Sequence, residues 1–144
     1  MPSSESMPAL TMPWLVDMPT ATLKIPPATE NVRLARLVAS AAARRGGVGE
    51  DILDELRQAV GEACARAVLR HQDALSSAEV RIELEDQPER FQVRVYDQVQ
   101  LVDATDTVDA MALALISSLA HESAVEPAGT GTVVQMSWPT GIAE

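Results

Sequence analysis

Between Ile52 and Val68 the apolar residues return every three or four positions: Ile52, Leu53, Leu56, Ala59, Val60, Ala63, Cys64, Ala67 and Val68. That is the 3.6-residue rhythm of a helix buried along one face. It predicts a helix from about Glu50 to Arg70, with the small residues Ala59, Ala63 and Ala67 allowing a close approach to a sheet. Downstream the period drops to two. Val80, Ile82 and Leu84 alternate with Arg81, Glu83 and Glu85; after Asp86-Gln87-Pro88-Glu89, Phe91, Val93 and Val95 alternate with Gln92, Arg94 and Tyr96. Alternation of this kind is an antiparallel hairpin with one apolar and one polar face. A long helix and a one-faced hairpin can both bury their apolar sides only by stacking in two layers.

The remaining elements fit around that pair. Ala21 to Ile25 reads as a short strand stopped by Pro26-Pro27. A first helix then begins with Thr29 as N-cap and places Leu34, Leu37, Val38 and Ala41 on one face. It ends at Arg44 and Arg45, which suit the negative end of the helix dipole, and Gly46-Gly47. Asp97 to Val108 reads as a loop. A third helix carries Val108, Met111, Ala112, Leu115, Ile116 and Leu119 in register, with Asp106 or Thr107 as its cap. Ser123 to Glu126 and Thr132 to Trp138 read as closing strands around Pro127-Ala128-Gly129. The predicted fold is an α/β two-layer sandwich, with a tail or arm at residues 1–20 and a single domain at 21–144.

Charge and cysteine content exclude several functions. The formal net charge is -10 and Lys24 is the single lysine, a poor match for nucleic acid, whose phosphates need clustered cations. The one cysteine, Cys64, cannot form an internal disulfide, which points to a reducing compartment and a cytoplasmic location. No Cys/His cluster suggests a metal site. Residues 1–20 have apolar pieces, including Trp14 and Leu15, but are interrupted by Pro2, Pro8, Pro13 and Pro19 and lack a basic start, so neither signal peptide nor membrane span is expected.

The stretch from Asp54 to Val68, with Glu62-Ala63-Cys64 at its centre and His71 just beyond, resembles the second helix of the bacterial anti-sigma factor serine kinases. These are the RsbW-like and SpoIIAB-like members of the GHKL superfamily. The resemblance extends over Ala21 to Trp138, with the same element order. It implies a Bergerat-type ATPase-like fold: a mixed, largely antiparallel sheet covered by helices on one face. It also implies a family function, holding a sigma factor inactive and phosphorylating a STAS-domain anti-anti-sigma antagonist.

Matched residue by residue, the nucleotide site is degenerate. Glu62 stands where the family has its general base. Arg66 stands where an asparagine should ligate magnesium, and a guanidinium offers only donors. Asp97 stands where an aspartate reads the adenine amino group, but Val99 and Leu101 replace the two glycines that follow it. Ala112 and Ala114 replace the glycines of the turn that approaches the phosphates, adding a Cβ at each position. The lid, Gln98 to Asp109, contains no glycine. ATP and magnesium are therefore expected to be lost.

Plainer readings compete at each position. Glu62 and Arg66, one turn apart, could form an exposed helix ion pair. Asp97 could be a strand-end turn residue, and Cys64 a small buried hydrophobe. His71 and His121 have no ligand spacing and read as surface or helix-end residues. Arg33 and Arg36 are either solvated helix charge or, as the resemblance implies, contacts for a protein partner. The functional expectation is a non-catalytic anti-sigma-like regulator that binds a sigma factor, a STAS-domain antagonist or both. Dimerisation through the sheet is also expected. The alternative is a divergent ATP-dependent serine kinase.

Overall fold

The computed structural model describes residues 20–100 and 107–140. The expected arm at residues 1–20 (apart from Thr20), Leu101 and the middle of the expected lid lie outside the described residues. The elements run β1 (Thr20–Ile25), α1 (Glu30–Arg45), α2 (Glu50–Asp73), β2 (Val80–Gln87), β3 (Arg90–Tyr96), α3 (Thr107–Leu119), β4 (Glu122–Ala128) and β5 (Gly131–Pro139). The five strands form one sheet in the order β1-β2-β3-β5-β4. All four pairings are antiparallel, where the resemblance implied a mixed sheet.

Register places the apolar residues on one face. Leu23, Ile82, Val95 and Val134 stand opposite one another from β1 to β5, as do Leu84, Val93 and Met136. The helices lie over this face, with α2 against β2, β3 and β5 and with α1 and α3 on either side of it. Leu53, Leu56, Ala59, Val60, Ala63, Cys64, Ala67 and Val68 of α2 are all buried in the core, as their spacing requires. Cys64 sits wholly among apolar groups, which pushes its thiol up to about 12 and makes it packing material, not a nucleophile.

The opposite face of the sheet is a polar lattice. Arg94 bridges Glu83 and Glu85 at 3.1 and 2.9 Å, the Tyr96 hydroxyl donates to Glu83 at 3.0 Å, and Arg81 stacks on the Tyr96 ring.

Two helix faces depart from the sequence expectation. α1 turns Ala35, Ala39, Ser40 and Ala43 inward and leaves Leu34, Leu37 and Ala41 exposed. The alanine stripe wins because α1 lies close on α2, where leucines would hold the axes apart. Likewise α3 buries only Ile116, with Leu113 and Leu119 partly covered, while Val108, Met111 and Leu115 face outward. Nearly every side of α3 is apolar, so periodicity could not say which side packs. Thr29 occupies the N-cap position of α1 without making a side-chain cap bond.

Candidate functional site

Four-residue steps along a helix stack side chains on one side, and α2 places Glu62, Arg66 and Arg70 this way. Beneath them the chain leaves β3 at Asp97, and β5 begins at Gly131-Thr132. Strand β5 can come this close because residue 131 has no side chain: a Cβ there would overlap the Asp97 backbone. The N-terminus of α3 closes the other side with Asp109 and Ala112.

The result is a buried charge network. Arg66 donates from Nε to Asp109 Oδ1 at 2.6 Å, from Nη2 to Asp109 Oδ2 at 3.3 Å and from Nη1 to Thr132 Oγ1 at 3.2 Å. Arg70 holds Asp97 with two donors, Nε to Oδ2 at 3.1 Å and Nη2 to Oδ1 at 3.3 Å, and reaches the Val99 carbonyl at 2.7 Å. Asp97 also accepts the Thr132 hydroxyl and the backbone N–H groups of Val99 and Thr132 at 3.1 and 3.3 Å. Arg66 Nη1 lies 3.6 Å from its Oδ2. The side chains of Asp97 and Arg66 are only 1% and 3% exposed. A carboxylate has about four lone-pair sites, so Asp97 has none left for another donor.

His71 supports this network from below. It is completely buried, and its Nε2 accepts the Gln98 N–H at 3.0 Å, which places the ring proton on Nδ1. Burial lowers its pKa below the ordinary 6.5. The Arg70 charge acts in the same direction, against the opposing pull of Asp97 and the Ala78 backbone.

Several expectations about this site need correction. Arg66 does not pair with Glu62, because its side chain turns inward to Asp97 and Asp109; among the described residues Glu62 has no ion pair. Asp97 does stand at the strand end and accepts the Val99 N–H two residues on, as a turn aspartate would, but it is also buried at the centre of the network. His71 does lie in the last turn of α2, but it is buried there; His121 is exposed, as expected. Val99 is buried beside Asp97, and its carbonyl is taken by Arg70. Ala112 faces the site, whereas Ala114 points outward on α3 and does not reach it. Three network members were not anticipated: Arg70, Asp109 and Thr132. A second arginine four residues after Arg66, on a helix otherwise buried through Val68, was the available signal.

Two clefts flank α2. One, of about 180 Å³, opens between Glu62, Ala65 and Leu69 of α2 and Val108, Asp109 and Ala112 of α3. The other, of about 390 Å³, lies between α1 and α2 and contains Arg33, Arg36, Leu37, Asp54, Arg57 and Gln58. There Arg57 is held by Asp54 and by the Ser40 hydroxyl, while Arg33 and Arg36 are exposed with no ion pair among the described residues. The Arg36 stem crosses Gly61, where a Cβ would come within 2.7 Å of Arg36 Cδ. The described residues include no cluster of metal-ligand side chains and no helix long and apolar enough to cross a membrane.

Residues 25–138 match the family model of the histidine kinase-like ATPase domain, and the chain belongs to that family. No curated protein matches it.

Proposed function

We propose that this histidine kinase-like ATPase domain works in the cytoplasm without nucleotide, as an anti-sigma-like regulator. It binds a sigma factor, a STAS-domain anti-anti-sigma antagonist, or both in competition, and a homodimer through the sheet belongs to the same reading. The observation that carries it is the saturated carboxylate of Asp97. An adenine amino group would have to displace Arg70, Thr132 or Val99 from it, uncovering buried charge.

The other residues also do not fit a magnesium nucleotide. Arg66 stands at the metal-ligand position and can only donate. Ala112 carries a Cβ into the cleft, and the cleft's 180 Å³ falls below the roughly 300–1,000 Å³ of small-molecule sites.

The partner side of the proposal is supported by α1. Arg33 and Arg36 stand exposed beside Leu34 and Leu37, a combination of guanidinium and apolar surface that suits an interface. Glu62 favours a second reading, a divergent serine kinase: it keeps a half-buried carboxylate at the cleft rim, where the family's base stands.

Titration calorimetry with ATP and Mg²⁺, together with labelled-phosphate transfer to a STAS-domain protein, separates the two readings. The expected result is no nucleotide heat and no transfer, with binding of the STAS or sigma partner weakened at least about tenfold by Arg36→Glu. Micromolar nucleotide affinity or phosphate transfer would overturn the proposal.

A further inference from the structure

The groove between α2 and α3 has its own chemistry. Its inner arginines, Arg66 and Arg70, are committed to Asp109 and Asp97, so the floor offers no spare positive charge. At its two ends stand the carboxylates of Glu62 and Asp73, neither with an ion pair among the described residues. They are eleven residues apart, about 16 Å along the helix axis. Between and beside them the surface is apolar. Leu69 is 43% exposed, and Val108, Met111 and Leu115, at 60%, 67% and 38%, share one face of α3 that continues from the groove. A contiguous apolar stripe left in water marks an interaction surface. Methionine at its centre can adapt to a partner's shape.

Size and charge restrict the occupant. A cavity near 150 Å³ holds one benzene ring, so 180 Å³ accepts about one large apolar side chain. Carboxylates at both ends favour basic residues on either side of that anchor. We infer that this groove seats an amphipathic helix of a partner protein, with an apolar stripe flanked by Lys or Arg. The mode is a helix laid in a groove, read through apolar residues one helical turn apart. The inference rests on the proposal that no nucleotide fills the cleft, and it concerns a surface separate from Arg33 and Arg36.

The test uses fluorescence anisotropy with the full chain and two labelled synthetic peptides of about 18 residues, roughly 27 Å as a helix. Both carry leucine every third or fourth position; one has arginine at the flanking positions, the other glutamate. The arginine peptide binds at least about tenfold more tightly than the glutamate peptide. Met111→Glu and Leu69→Glu, both at exposed positions, each weaken it at least about tenfold. Glu62→Gln with Asp73→Asn weakens it severalfold. Equal binding of the two peptides, or wild-type affinity in Met111→Glu, overturns the inference. So does a dimer that Met111→Glu turns into a monomer in sedimentation, since the stripe then serves a second copy of the chain. Displacement of the peptide by ATP and Mg²⁺ would instead sink the nucleotide-free reading while leaving the groove in place.

Discussion

A carboxylate taken out of water needs a partner for each lone pair, and Asp97 finds them in Arg70, Thr132 and the Val99 N–H. The dependence runs both ways, because Arg70 has no other carboxylate among the described residues. Asp97→Asn is nearly isosteric but leaves that guanidinium buried without its countercharge. It should cost about 3–5 kcal/mol, read from urea unfolding; a loss below about 1 kcal/mol would mean that water already reaches the pair. His71 gives a pH signature. Its folded pKa lies below 6.5, so in acid the unfolded chain takes up a proton that the folded chain resists. Its contribution is therefore fully present above pH 6.5 and is lost as pH falls from there through the folded pKa. The slope has this sign and stays below the one-proton limit of about 1.4 kcal/mol per pH unit. Unfolding measured between pH 7.5 and 5.5 should show this slope in the wild type and a flatter one in His71→Gln. Equal slopes would assign the acid sensitivity to carboxylates.

At the scale of elements, α1 and α2 end in the same way with different residues. In α1 the Val48 N–H bonds back to the Ala43 carbonyl, with Gly47 at φ 101° between helix and loop. In α2 the Ser76 N–H bonds back to the His71 carbonyl at 2.8 Å, and the residue in the left-handed conformation is Leu75, at φ 55° and 94% exposed. A leucine there carries the steric cost of left-handed backbone and packs against almost nothing. Leu75→Gly should stabilise the protein by about 0.5–1 kcal/mol after the extra chain entropy of glycine is subtracted. That is a rise of about 2–4 °C in Tm by calorimetry; a fall would mean that the leucine side chain makes a stabilising contact. The same scale shows what the sequence could disclose. The inner face of α2 and both strands of the hairpin were legible because one side of each is apolar and the other polar. The inner faces of α1 and α3 were not, since leucine and alanine compete on α1 and α3 is apolar nearly all round. At the site, Glu62, Arg66, Asp97, Val99 and Ala112 were legible from the family pattern. The pairing of Arg66 and Arg70 with Asp109 and Asp97 was not, because it joins residues 27 to 43 positions apart through a fold that periodicity alone does not position.

Across the whole molecule, charge is distributed less evenly than a net value of -10 suggests. Arg66 and Arg70 are neutralised inside, Arg81 and Arg94 on the open sheet face, and Arg44, Arg57 and Arg90 in exposed pairs. Among the described residues, Lys24, Arg33, Arg36 and Arg45 are the cations left without an ion pair, and three of these lie on α1. The acids in excess of the cations repel one another and favour expansion of the chain. Exposed pairs weaken when screened, but each is worth only about 0–1 kcal/mol. The surplus repulsion is long-ranged at low salt and falls away as the screening length drops from about 30 Å at 0.01 M to about 10 Å at 0.1 M. Repulsion should dominate, so moving from 0.01 to 0.1 M NaCl should raise the unfolding free energy, by on the order of 1 kcal/mol. Partner association through α1 should respond in the opposite sense, because salt screens the arginines from an acidic partner surface and lowers the on-rate. Urea melts and stopped-flow binding at the two salt concentrations measure both. Stability that falls with salt would show that ion pairs outweigh the surplus charge, and an on-rate that rises with salt would mean the partner meets the acidic surface instead of α1.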